Sequence, residues 1–161
     1  MAQHLRILRL YFLMLALFTV GRLAMTPVPY EKGHQVFSLV TLTALSSIYF
    51  GAFSRRWLGY RVSQAALLGM LIGLSTQIVI FTVTLVSYSL GFHNYFTQPR
   101  ALLGMNAPGD PVPFMTAMGA RFGGLFANTI TASIVSCLGW AMGGLLPVCP
   151  TPPPPKKSPA S

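Results

Sequence analysis

The sequence predicts an all-α membrane protein, a four-transmembrane-helix bundle with a long, partly apolar outer loop between the third and fourth helices. Three observations predict it. Of 161 residues, 53% are hydrophobic and only 8% are charged, too few to give a water-soluble globule a polar surface. The apolar residues gather into runs of membrane-spanning length, and the basic residues stand at the ends of those runs.

The first run, 7–25, carries Arg9 and Arg22 near its ends, where long side chains reach an interface. Its basic start (His4, Arg6, Arg9) also resembles a signal peptide, but cleavage after Ala24 would put Arg22 where a small residue is wanted. The reading is an uncleaved signal anchor. Pro27 and Pro29 then stop the helix. The second run, 36–53, ends at Ser54-Arg55-Arg56. The third, 65–92, is about 42 Å long at a rise of about 1.5 Å per residue, so it must tilt or project beyond a core of about 30 Å. The fourth, 122–146, is closed by Pro147 and Pro150. Residues 1–150 form the transmembrane domain; 151–161, rich in Pro and Lys, reads as a disordered tail in water.

Eleven Lys and Arg stand against one Glu (Glu31) and one Asp (Asp110), a formal charge of +9. Arg6, Arg9, Arg55, Arg56, Arg61, Lys156 and Lys157 fall on one side of the predicted topology; Arg22, Lys32, Arg100 and Arg121 fall on the other. The excess places both termini in the cytoplasm, in a plasma or inner membrane. The cations do not cluster on one polar face, so lipid headgroups account for them and nucleic acid is not expected as a partner.

The connection 93–120 is too apolar for a solvated linker, with Tyr95, Phe96, Leu102, Leu103, Phe114 and Met115, and too rich in Pro and Gly to be one helix. It is expected to fold back on the outer face, with a short helical turn near Arg100–Met105 and a turn around 107–111.

Polar residues inside the spans need helix partners or a site. Gly69, Gly73, Gln77, Thr84 and Tyr88 share one face of the third span; Gly124, Asn128, Thr131, Gly139 and Gly143 do much the same on the fourth; Thr43, Ser47 and Gly51 lie on the second. Gly69-x-x-x-Gly73 and Gly139-x-x-x-Gly143 are small-residue contact motifs. Gln77 and Asn128 are also candidates for presenting amides to a ligand within the membrane. None of the spans holds a carboxylate or lysine, so proton pumping through buried acids and paired-carboxylate chemistry lack their residues, and no catalytic residue is assigned.

Two chemical sites remain. His34 and His93 stand at the outer ends of the second and third spans and are the residues that haem or copper would use, although no cofactor or metal site is predicted outright. Arg22, Arg100 and Arg121, with the two histidines nearby, are candidates for a lipid phosphate or an acidic ligand.

Two roles follow. The first is a small non-enzymatic membrane subunit, assembly factor or scaffold, touching other subunits or its own copies through its glycine faces. The alternative is a membrane-embedded binding protein or carrier for a lipid or small anionic ligand, with 93–120 as lid. The second requires a polar cavity under that loop; the first requires glycine faces left open.

Overall fold

The computed structural model describes residues 2–33, 35–104, 107 and 109–145, and every structural statement here concerns those residues. The fold is all-helical, with no strand among them. The N-terminal run forms α1 (Ala2–Ile7) and α2 (Arg9–Ala24), separated only at Leu8, whose amide still bonds to the His4 carbonyl at 3.1 Å. The single turn α3 (Tyr30–Gly33) follows Pro29, and α4 (Leu39–Leu58) opens on Ser38, whose Oγ accepts from the Thr41 amide at 3.3 Å. Gly59, at φ 63°, turns the chain into α5 (Val62–Ser89). Then come α6 (Pro99–Leu103) and α7 (Phe114–Gly143).

Two helices, α5 and α7, are long and apolar enough to cross a membrane. Four elements differ in their bounds from the sequence reading. The second and third runs are displaced by a few residues, to 39–58 and 62–89. The fourth begins eight residues early, at Phe114 rather than 122, so Arg121 is an interior helix residue and the loop is shorter than 93–120. The short turn lies at Pro99–Leu103, because proline favours a first helical turn. Residues 146–161, with the expected end of the fourth run, Cys149 and the tail, lie outside the described residues.

The core is α7 packed between α4 and α5, and glycine permits the close approach. A Cβ added at Gly73 would stand 2.8 Å from the Ala132 Cβ, one at Gly69 2.9 Å from the Ser133 Cα, and one at Gly139 2.8 Å from the Ile48 Cα. Gly143 meets Ala52 in the same way, and Gly51 meets Ser136. With backbones so close, side chains bond directly to the opposite helix, Ser136 Oγ to the Ala65 carbonyl at 2.7 Å and Ser133 Oγ to Ala66 at 3.0 Å, while Trp140 Nε1 donates to the Tyr60 carbonyl in the α4–α5 connection at 2.7 Å. α2 joins through Tyr11, buried, which donates to the Ile72 carbonyl at 2.8 Å and pairs with the Thr76 hydroxyl.

Hydroxyl and amide side chains share the interior with an apolar core of Leu15, Leu39, Phe50, Leu68 and Ile72, and large apolar side chains also cover the outside. Thr43, Ser47, Thr76, Gln77, Thr84 and Ser136 are buried, while Leu13, Leu17 and Val20 of α2 and Phe122, Phe126, Ile130, Ile134 and Leu138 of α7 are exposed. The i, i+4 spacing of the α7 residues makes one continuous apolar stripe.

Candidate functional site

The segment between α5 and α7 forms a roof over one end of the bundle. α5 stops in a Schellman motif: Gly91 takes φ 68° and the Phe92 amide reaches back to the Ser87 carbonyl at 2.8 Å. The chain then reverses at Asn94. Its Oδ1 accepts from the Phe96 amide at 2.9 Å, its own amide donates to Thr97 Oγ1 at 2.9 Å, and its Nδ2 donates to Ser87 Oγ at 2.5 Å, tying the turn to α5. Tyr95 and Phe96 thereby point inward and are buried. Farther along, the Val112 carbonyl accepts from the Tyr88 hydroxyl at 2.8 Å.

Arg121 holds this roof from below. Its Nε donates to Thr84 Oγ1 at 3.2 Å, one terminal nitrogen to the Ala101 carbonyl at 3.3 Å, and the other to the Phe96 carbonyl at 2.8 Å. One guanidinium therefore joins α7, α5, the Asn94 turn and α6. Three donors at fixed angles suit arginine, and lysine cannot reproduce them. All three acceptors are uncharged oxygens.

Opposite stands Arg22, at the end of α2. Its guanidinium lies over the Tyr95 ring, 3.9 Å from the centroid, and donates to the Val36 carbonyl at 2.8 Å. Tyr95 stacks on Tyr30, with centroids 4.9 Å apart. Burial raises the affinity of the Tyr95 phenol for its proton, and the Arg22 charge opposes that effect.

Three adjoining cavities lie under or beside the roof. Arg22 and Arg121 line one of about 110 Å³, walled by Tyr30, Tyr95, Phe96 and Ser38. Arg100 lines a second of about 360 Å³ with Tyr30, Gln98 and Pro99. His93, exposed, lines a third of about 370 Å³ with Ser87, Tyr88, Asn94, Thr97 and Gln98. The first two share Tyr30; the last two share Gln98, Pro99 and Gly109. Thus Arg22 and Arg121 meet in one cavity, while Arg100 and His93 stand in neighbouring ones. Gln77 and Asn128 meet in another small cavity, which shares Val40 with the first. Gly69, Gly73, Gly139 and Gly143 are all in contacts within the chain.

His34, expected to pair with His93 for haem or copper, lies outside the described residues. Among the described residues no three His, Cys, Asp or Glu side chains gather as a metal group. Sequence reasoning did not single out Tyr30, Asn94, Thr97 or Gln98. The Asn94-x-x-Thr97 spacing just after Gly91 was the available signal for the turn; nothing in the sequence signals the Tyr30–Tyr95 stack, formed by residues 65 positions apart.

No protein-family model, curated protein or solved structure matches the chain.

Proposed function

We propose that this is an integral membrane protein crossing the bilayer four times, with both termini cytoplasmic, and that it binds a small anionic group beneath the roof formed between α5 and α7. The outward apolar faces support the membrane reading, since water disfavours continuous exposed apolar stripes such as Phe122 to Leu138. α4 has 20 residues, enough for about 30 Å, and α1 and α2 together are nearly continuous over a similar length. The basic turn at Arg55, Arg56 and Arg61 favours the cytoplasm, which makes the roof the outer face.

One observation carries the ligand reading: Arg121, a cation held among uncharged acceptors, shares a cavity with Arg22. A guanidinium fork retains donors beyond those three bonds, and a site of low dielectric strengthens its pull on an anion. A phosphate or carboxylate suits both charges, and Arg100 next door extends the attraction towards the mouth. The anion is the headgroup of a lipid or a small solute. A cavity beneath the loop that carries two arginines favours this role over that of a subunit acting only through its glycine motifs, whose glycines are occupied within the chain.

The test is thermal unfolding of the full chain in neutral detergent with added phosphatidylglycerol, phosphatidylcholine or inorganic phosphate. Specific binding to the folded state raises the midpoint as ligand increases. Phosphatidylglycerol alone raising it identifies a lipid; phosphate raising it as well identifies a solute site. Arg22→Gln should remove either response, and a midpoint unaffected by all three additions defeats the proposal.

One feature favours the subunit role as a second reading. Gly119 and Gly123, on the exposed face of α7, have nothing within 4 Å of an added Cβ. Small residues left open to lipid suit contact with another helix. Crosslinking in native membranes tests it, with Gly123→Leu expected to abolish a specific adduct.

A further inference from the structure

The small cavity between the middles of α5 and α7 and the first turns of α4 points to a second site, which shares Val40 with the arginine cavity but neither arginine. Gln77 lies 15 residues from the start of α5 and 12 from its end, and Asn128 is equally central in α7. Their amides face a chamber of about 50 Å³ completed by Val40, Thr43, Thr131 and Val135. Gln77 is only 5% exposed, yet among the described residues its side chain makes no hydrogen bond; Asn128, half-buried, makes none either. A Cβ on Gly124 would stand 3.5 Å from Asn128 Nδ2 and 3.7 Å from Gln77 Oε1, so the two amides converge beside a position that leaves them space.

Bare amides at this depth are costly, because hydrocarbon offers them no partner. The neighbouring hydroxyls do not satisfy them. Thr43 Oγ1 donates to the Leu39 carbonyl at 2.7 Å and Thr131 Oγ1 to Ala127 at 2.8 Å, so both threonines keep acceptor capacity only. The chamber therefore offers amide donors together with amide and hydroxyl acceptors, and no charge lines it. Its complement is a neutral group that both donates and accepts. A cation or an anion would lose its hydration there without a counter-charge.

We propose that the chamber binds a neutral hydroxyl, supplied either by water or by the head of an uncharged long-chain alcohol entering from the bilayer. The volume holds a few waters or one such head. Val40 and Thr131, both exposed, mark a way in from the side. On the inner wall, Thr43 Oγ1 lies 2.9 Å from Thr76 Oγ1, whose one proton serves either Thr43 or Tyr11, so an occupant stands beside a cluster of hydroxyls from α4, α5 and α2.

The full chain in phosphatidylcholine nanodiscs supplies the test. A diazirine-bearing hexadecanol is photoactivated beside the matching diazirine-bearing hexadecane, and in parallel the protein with ¹⁵N-glutamine is examined for magnetisation transfer from water to the Gln77 amide, assigned against Gln77→Met. Labelling of 40–44 and 128–135 several-fold stronger with the alcohol than with the alkane, lost in Gln77→Met, identifies the lipid alcohol. A water cross-peak at Gln77 with equal labelling by the two probes identifies water. Equal labelling and no cross-peak overturn the proposal. The wild-type labelling comparison stands even if Gln77→Met does not fold, the Gln77 amide being then assigned against Gln77→Asn, and neither measurement depends on Arg22 or Arg121, so failure of the anion site leaves this result interpretable.

Discussion

At the scale of the residue, the same amino acid carries opposite consequences at different depths of contact. Gly139 lies against the Ile48 backbone, whereas Gly119 faces open space. Gly139→Ala must push α7 from α4, an overpacking that costs about 1–3 kcal/mol. Gly119→Ala meets nothing and gains up to about 1 kcal/mol of helix propensity. Thermal unfolding in detergent should therefore separate the pair, with the midpoint lowered for Gly139→Ala and unchanged or raised for Gly119→Ala; equal losses would contradict the packing described. Tyr95 provides a pH dependence. Its folded pKa is raised by burial, so the folded state holds the proton more firmly than the unfolded chain does. That contribution is complete below the ordinary phenol value of 10.0 and is lost as pH rises through the higher folded value. Tyr95→Phe should show a shallower alkaline loss of stability than the parent; an identical alkaline limb would show that the phenol is not withdrawn from water.

At the scale of the element, the roof depends on few attachments. Arg121 supplies three hydrogen bonds, and Asn94 ties its turn to Ser87. Arg121→Ala strands the Phe96 and Ala101 carbonyls, at about 1–3 kcal/mol for each acceptor left buried. Hydrogen exchange should quicken at the amides of 94–104 while the centre of α5 stays protected; uniform loss of protection would mean that Arg121 supports the bundle instead. The existence of the helices was legible from long apolar runs and from proline, but their ends were less so. α7 begins at Phe114 because Pro113 can precede a helix and Phe114 and Met115 can continue one. A sequence reading puts the charge of Arg121 at a membrane boundary, whereas in the fold it is accommodated inside the helix by oxygens from three other segments. Those segments lie between 20 and 37 positions away in sequence, beyond the reach of a periodicity argument. The Gly69 and Gly139 motifs announced close contact, yet only the fold distinguishes contact within the chain from contact with another.

At the scale of the whole molecule, the proposal combines a bundle closed by glycine contacts with a roofed, basic outer end and a neutral chamber midway. The topology has its own check. Single cysteines at Ser63 and Thr116, in a chain with Cys137 and Cys149 replaced by serine, should react with membrane-impermeant maleimide from opposite sides, Thr116→Cys in intact cells and Ser63→Cys only after lysis. Labelling of both from one side would rule out the four-span arrangement. The central claim, that Arg22 and Arg121 hold an anionic group beneath the roof, is tested most directly by native mass spectrometry of the full chain released from nanodiscs of mixed phosphatidylcholine and phosphatidylglycerol, with small-solute adducts recorded in the same spectra. One retained anionic adduct is expected, reduced several-fold by Arg22→Gln. Retention of phosphatidylcholine and phosphatidylglycerol in their bulk ratio, with no small anion and no effect of the substitution, would contradict it.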